Sequence, residues 1–214
     1  MKECILIFRL LFYLSVLLFF NSCRKDKPDN SNEISAQYGQ LKDYIYFKKG
    51  SYWIYEDKNG AIDSMYVTDS QEGNQNGYDY LGTTVHSTYD TYDYFISWNT
   101  SWTSYHPTRH KVFMRKVKVG DYVGEIILME YPPVVGNILY HYNDNDITTV
   151  SYFINYQIDS LSFNSVIKMH ETHDITNYNL QATNYFIARN VGIIKEEMLD
   201  SNNVWKLRRF KILQ

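Results

Sequence analysis

Beyond residue 40, apolar and polar side chains alternate with a period of two, which predicts strands. In VSYFINYQID (150–159), Val150, Tyr152, Ile154, Tyr156 and Ile158 share one face. Ser151, Asn155, Gln157 and Asp159 share the other, with Phe153 the exception. Successive strand side chains point to opposite faces, so this pattern predicts one buried and one wet face, as in antiparallel sheets. SYWIYEDKNGAIDSMYV (51–67) reads as a hairpin around Asn59-Gly60, the strongest short hairpin signal. A two-residue turn there sets Ile54 opposite Met65 and Tyr52 opposite Val67. It also sets Glu56 opposite Asp63, which repels, so the register stays open.

KVFMRKVKVGDYVGEIILMEY (111–131) gives a clearer register. A Gly120-Asp121 turn pairs Lys116 with Glu125, Lys111 with Glu130, Met114 with Ile127 and Val112 with Met129. Charged and apolar pairs agree on that register. Pro132-Pro133 ends the strand, because proline has no N–H to give to a ladder. FNSVIKMH (163–170) is a further strand. IIKEEML (193–199) and VWKLRRFKIL (204–213) form a terminal hairpin across Asp200-Ser201-Asn202-Asn203. Residues 72–110 predict strands at about Tyr78–Val85 and Tyr89–Trp98, followed by a loop ending at Pro107. Helix is expected only as a short turn near Leu180–Tyr185. Short strands separated by turn signals, with no internal repeat, indicate a mainly β sandwich or barrel.

Residues 1–22, MKECILIFRLLFYLSVLLFFNS, have a different pattern. Lys2 and Arg9 precede an uncharged run of 11 residues, Leu10 to Phe20. A membrane span needs about 20 apolar residues, whereas the apolar core of a secretory signal needs about 7–15. The segment is therefore expected to be a signal peptide. Ending in Ser22-Cys23, it resembles the type II signal of bacterial lipoproteins. In that family the Cys after the cut receives diacylglycerol on its sulfur, and the resemblance implies this role for Cys23. Phe20 and Asn21 depart from the usual aliphatic and small residues of that box, and looser boxes of this kind are familiar in Bacteroidota. The alternative is an ordinary secretory signal that leaves Cys23 as a free thiol.

The expected organisation is a signal at 1–22, a flexible tether at 23–40 (RKDKPDNSNEISAQYGQ after Cys23) and a β-domain at 41–214. Cleavage leaves 192 residues, enough for a sizeable core. Cys4 leaves with the signal, so an acylated Cys23 leaves no thiol or disulfide in the domain. An aromatic fraction of 17%, including 21 Tyr, suits pleated, half-buried surfaces. The mature chain carries 19 basic and 23 acidic side chains. That balance disfavours nucleic acid, which is held by basic excess.

YFKKGSYWIYED, FNSVIKMH, YFIARNVGIIKEEM and WKLRRFKI resemble a plan found in uncharacterised Bacteroidota lipoproteins. The resemblance implies an antiparallel curled sheet, a half-barrel or lipocalin-like, with a concave face and little helix.

Chemistry-bearing motifs are sparse. His170-Glu171-Thr172-His173-Asp174 is not the H-E-x-x-H of zinc proteases, since the second His comes one residue early. On a strand, residues three apart face opposite ways, so it reads as a polar loop after a strand. A metal or carboxylate hydrolase around His170 and His173 is the alternative function. Asn143-Asp144-Asn145-Asp146 lacks the glycine and closing glutamate of a calcium loop and reads as a turn. Nucleotide-type glycine signatures and a G-x-S-x-G elbow are absent from the sequence. Trp98, Trp102 and Tyr105, beside His106, are the candidate ligand-binding aromatics, which could stack on sugars or anchor a partner. Asp63-Ser64-Met65 and Asp159-Ser160-Leu161 match an O-glycosylation pattern linked to Bacteroidota. The expectation is a non-enzymatic, lipid-anchored outer-membrane protein without cofactor or metal. It would bind a glycan, an apolar molecule or an envelope protein.

Overall fold

The computed structural model describes residues 40–75, 78–99, 110–118, 121–140, 146–174 and 180–214. A short helix, α1 (40–45), comes first. The first six strands are β1 (Tyr52–Asp57), β2 (Ile62–Gln75), β3 (Tyr78–Ser87), β4 (Asp93–Asn99), β5 (His110–Lys118) and β6 (Asp121–Tyr131). The second six are β7 (Ile138–Tyr140), β8 (Asp146–Ile158), β9 (Leu161–Asp174), β10 (Leu180–Ala188), β11 (Gly192–Met198) and β12 (Asn203–Lys211).

These strands form one antiparallel sheet of order β6-β5-β4-β3-β2-β1-β12-β11-β10-β9-β8-β7. It consists of two meanders built from neighbours in sequence. They are joined where the first strand pairs with the last, Trp53 against Phe210 and Tyr55 against Leu207. The sheet is curled, not closed. Five strands separate β4 from β10 in this order, yet Tyr94 on β4 lies within electrostatic range of Tyr185 on β10. One buried cluster also mixes Leu81, Ile96, Val112 and Met129 of the first meander with Ile167, Met169 and Ile187 of the second.

α1 occupies the curl from within. Leu41 and Ile45 are fully buried in that shared cluster. Thr83 on β3 fixes the chain leaving the helix: its hydroxyl donates to Ile45 O (2.9 Å) and accepts from Phe47 N (3.2 Å). Around the helix, Tyr44 donates to Ser165 O at 3.1 Å, and Asp43 pairs with Arg189 at 2.6 Å. A second cluster gathers Phe47, Trp53, Val85, Trp205 and Leu207 with Phe163, Phe186 and Ile194.

The terminal hairpin forms as expected, with Met198 opposite Asn203. The Asn59-Gly60 hairpin is also present, but one residue out of the two-residue register. Gly60 adopts φ +85°, and Asp57 N donates to Ala61 O at 2.9 Å. This makes a three-residue loop, whose last position needs the left-handed conformation that glycine permits. The Asp57 carboxylate accepts from Asn59 N and Ala61 N, each at 2.8 Å. The shift places Glu56 opposite Ile62 and Tyr55 opposite Asp63, which removes the carboxylate repulsion.

The β5–β6 register holds for Lys111–Glu130 and Val112–Met129. It then slips at two irregularities, so that Met114 faces Ile126 and Lys116 faces Gly124. Such bulges bend a strand, which is how a sheet curls. Three expectations are corrected. Leu180–Tyr185 is strand, because β10 is laddered on both sides, to β9 and β11. His170–Asp174 continues β9 and is not a loop. The regular face of β8 is broken by a register shift between Thr149 and Ser151. Beyond that shift β8 stays in register with β9, but the face is not uniformly buried: Ile154 is 75% exposed, while Tyr156 packs on Phe186, ring centroids 5.1 Å apart. Asn143 to Asn145 lie outside the described residues.

Candidate functional site

Part of the inner face of the curl is lined by tyrosines and carboxylates from both meanders, and one of them, Tyr185, shares the buried cluster of Leu41 and Ile45 of α1. Strand pairing explains the assembly. Tyr55 pairs with Asp63 across β1–β2, and Tyr185 pairs with Glu196 across β10–β11. Glu171, two residues beyond Met169, shares the face on which Met169 pairs with Tyr185. The curl then brings Tyr94 of β4 towards Tyr185 and Glu196.

The cluster is graded in depth. Tyr89, in the turn between β3 and β4, is 59% exposed. It rests edge-on against Trp205 with ring centroids 4.9 Å apart. Asp90, Tyr94 and Glu196 are half-buried. Below them Tyr55, Asp63, Glu171 and Tyr185 are buried.

The turn carrying Tyr89 is held by one buried carboxylate. Asp63 accepts from the Ser87 hydroxyl at 3.0 Å and from Thr88 N and Tyr89 N, each at 3.1 Å. Asp90 accepts from Tyr92 N at 3.1 Å and from the Tyr94 hydroxyl. Thr91 has φ 61°, a left-handed conformation that costs a β-branched residue about 1–3 kcal/mol and persists only where its surroundings impose it.

Burial pushes the Tyr55 phenol well above its usual range, with Asp63 and Glu196 adding to the effect. Tyr185 is raised by burial, and by Glu196, Glu171 and Tyr94 after it. Tyr94 is raised by burial and by its bond to Asp90. All three are therefore neutral hydroxyl donors. Tyr55 donates to Ile193 O at 2.7 Å and Tyr185 donates to Glu171. Glu171 is itself pushed up to about 7 by burial, against the lowering effect of the Tyr185 bond. Its Oε1 has no hydrogen-bond partner.

The residues singled out in the sequence do not build this site. Trp98 is on β4, within the expected strand, but it is corrected as a binding aromatic: it lies opposite Leu81 and is 1% exposed in the core. Trp102, Tyr105 and His106 lie outside the described residues, as does Cys23. His170 is half-buried on β9, its Nδ1 2.9 Å from Asn184 Oδ1. His173 is three positions further along the same strand. Among the described residues, no three His, Cys, Asp or Glu side chains converge as a metal site requires.

The tyrosine–carboxylate cluster escaped the sequence reading because its members are far apart in the chain. The usable signal was the M-x-E alternation at 169–171, which places a carboxylate on an apolar face.

No family model matches the chain, and no curated protein does. Two solved structures are similar. One is a protein of Bacteroides fragilis NCTC 9343, provisionally named as exported and as having a YmcC-like fold. It is 11% identical with a TM-score of 0.40, and the match covers 78% of this chain and 99% of that one. The other, from Parabacteroides distasonis ATCC 8503, is provisionally named a lipoprotein. It is 10% identical with a TM-score of 0.39, and the match again covers 78% and 99%.

Proposed function

We propose that the chain is a lipid-anchored protein of the bacterial outer membrane whose curled sheet binds a glycan at its tyrosine–carboxylate cluster, without catalysis. The anchor rests on the apolar run ending at Cys23. The binding reading rests on one observation: an exposed ring, Tyr89, packs on Trp205, the cross-strand partner of half-buried Glu196, and is followed in its turn by half-buried Asp90, which holds Tyr94. Sugars present apolar C–H faces that stack on aromatic rings and hydroxyls that bond to carboxylates and phenols. Preorganisation supports the same reading, because the ring is held by a turn that Asp63 has already fixed. A glycan is preferred to an apolar ligand because the apolar interior of the curl is already filled by Leu41, Ile45 and Phe47.

Titration of the purified protein against a glycan panel tests this. Tyr89→Ala should weaken binding of any hit at least about tenfold, since base or ring stacking on an aromatic is worth roughly 1–3 kcal/mol. The melting temperature should be unchanged. Binding that is indifferent to both Tyr89→Ala and Tyr94→Phe, or turnover of a bound glycan, would sink the proposal.

A further inference from the structure

The exposed apolar side chains of this domain are unevenly distributed. Of the eleven large ones among the described residues, five fall between 134 and 154: Val134, Val135, Ile138, Tyr152 and Ile154. Their exposures are 39%, 61%, 49%, 46% and 75%. Tyr131, at the end of β6, and Tyr152, on β8, both meet Tyr44 of α1. The Tyr44 and Tyr131 ring centroids are 5.7 Å apart, and Tyr44 is hydrogen-bonded to Tyr152. Val134 and Val135 follow three and four residues after Tyr131, and Ile138 ladders to Thr148 of β8. Tyr152 therefore meets α1 directly, Ile154 follows it two positions on along β8, and Val134, Val135 and Ile138 lie in the segment leading from Tyr131 to the strand that pairs with β8. On α1 itself two charge pairs form, Asp43 with Arg189 and Lys42 with Glu72, both at 2.6 Å.

α1 is also where the chain arrives from Cys23. Residues 24–39 separate that cysteine from the helix, a reach of at most about 60 Å at roughly 3.3–3.6 Å per residue. A domain held that close meets the bilayer as an intramolecular event, so even weak contacts are occupied. Ile, Val and Tyr are side chains that settle into the headgroup and acyl boundary.

We infer that Val134, Val135, Ile138, Tyr152 and Ile154 form a membrane-docking face that lays the domain on the same bilayer that holds its acyl chains. This rests on the Cys23 anchor of the proposed function, and the test below separates the two.

The full chain is expressed in a host that processes lipoproteins and reconstituted into phosphatidylethanolamine–phosphatidylglycerol vesicles. Ile154→Cys provides the only free thiol once Cys4 has been cleaved off and Cys23 acylated, and it is labelled with bimane. Spin-labelled lipid should quench this label at least twofold, while a label at Asn59→Cys, in the β1–β2 turn, should be unaffected. Val135→Asp should reduce the quenching at position 154 without releasing the protein.

If the protein floats with the vesicles and the label at 154 is unquenched, the docking face is wrong and the anchor stands. A signal at 154 that follows the number of proteins per vesicle and not the quencher identifies a second copy as the occupant, and overturns the membrane assignment. If the protein does not float, the anchor reading fails and the docking inference falls with it.

Discussion

At the scale of single residues, Glu171 is the most informative side chain. A buried carboxyl with an oxygen lacking a donor favours its neutral form, and its pKa stands at about 7 against an ordinary value of 4.5. The folded protein then holds a proton that the unfolded chain has already lost, so stability falls as pH rises from about 4.5 to 7. One pKa unit is about 1.36 kcal/mol, which puts the loss at roughly 3 kcal/mol. Glu171→Gln keeps the shape and removes the charge. It should leave the denaturant midpoint at pH 5 nearly unchanged, raise it at pH 8 and flatten the profile between. A wild-type profile that rises over this window would contradict the assignment. Trp98 makes the complementary case. Its aromatic bulk was visible in the sequence, but not its burial, because the alternation that buries Trp98 is completed by Leu81 on another strand. Trp98→Ala should cost about 3–5 kcal/mol in equilibrium unfolding, the range for emptying a large aromatic site in a core. A change below about 1 kcal/mol would mean that the indole is not part of the core.

At the scale of elements, the sequence is most legible where pairing is local. The β5–β6 and β11–β12 hairpins follow from β-rich runs on either side of a short turn, with the Lys111–Glu130 pair alone of the two expected charge pairs present in β5–β6, and the position of the Asn59-Gly60 turn was readable from the dipeptide alone. Its exact register was not, because the choice between a two- and a three-residue loop is made by the Asp57 carboxylate bonding to Asn59 N and Ala61 N. The β1–β12 pairing lies outside local reasoning altogether, since nothing in either strand names its partner. α1 was missed for a related reason: six residues are too few for helical periodicity to register, and the helix is fixed by tertiary contacts. Thr83 tests that explanation. Thr83→Val keeps the volume but leaves Phe47 N without its acceptor and Ile45 O without its donor. Each orphaned buried group costs about 1–3 kcal/mol, so the variant should lose at least that much stability. Amide exchange should accelerate at Phe47 first. If Val at this position is neutral, α1 is held by apolar packing alone.

At the scale of the whole molecule, the two meanders need each other. Neither encloses a core alone, because the shared cluster takes residues from β3 to β6 on one side and from β9 and β10 on the other, with α1 between. The one topological link that is not local, β1 to β12, therefore closes the fold, and the domain is expected to unfold in a single transition. A domain of this kind can dispense with disulfides, which agrees with a chain whose two cysteines are both at or before position 23. The role proposed for Cys23 is attachment. Stable anchoring takes more than one acyl chain, because each buried CH₂ contributes only about 0.8 kcal/mol and a single chain binds marginally. Loss of the modified sulfur should therefore abolish attachment rather than weaken it. Cys23→Ala should move the processed protein to the soluble fraction, or stop processing so that a precursor about 22 residues longer accumulates, the length of the expected signal. Mass spectrometry of the wild-type N-terminus should find acylation on Cys23. An unmodified Cys23 in a chain cut nearby would assign the segment to ordinary secretion, and a Cys23→Ala variant still cut and still membrane-bound would show that the attachment lies elsewhere in the molecule.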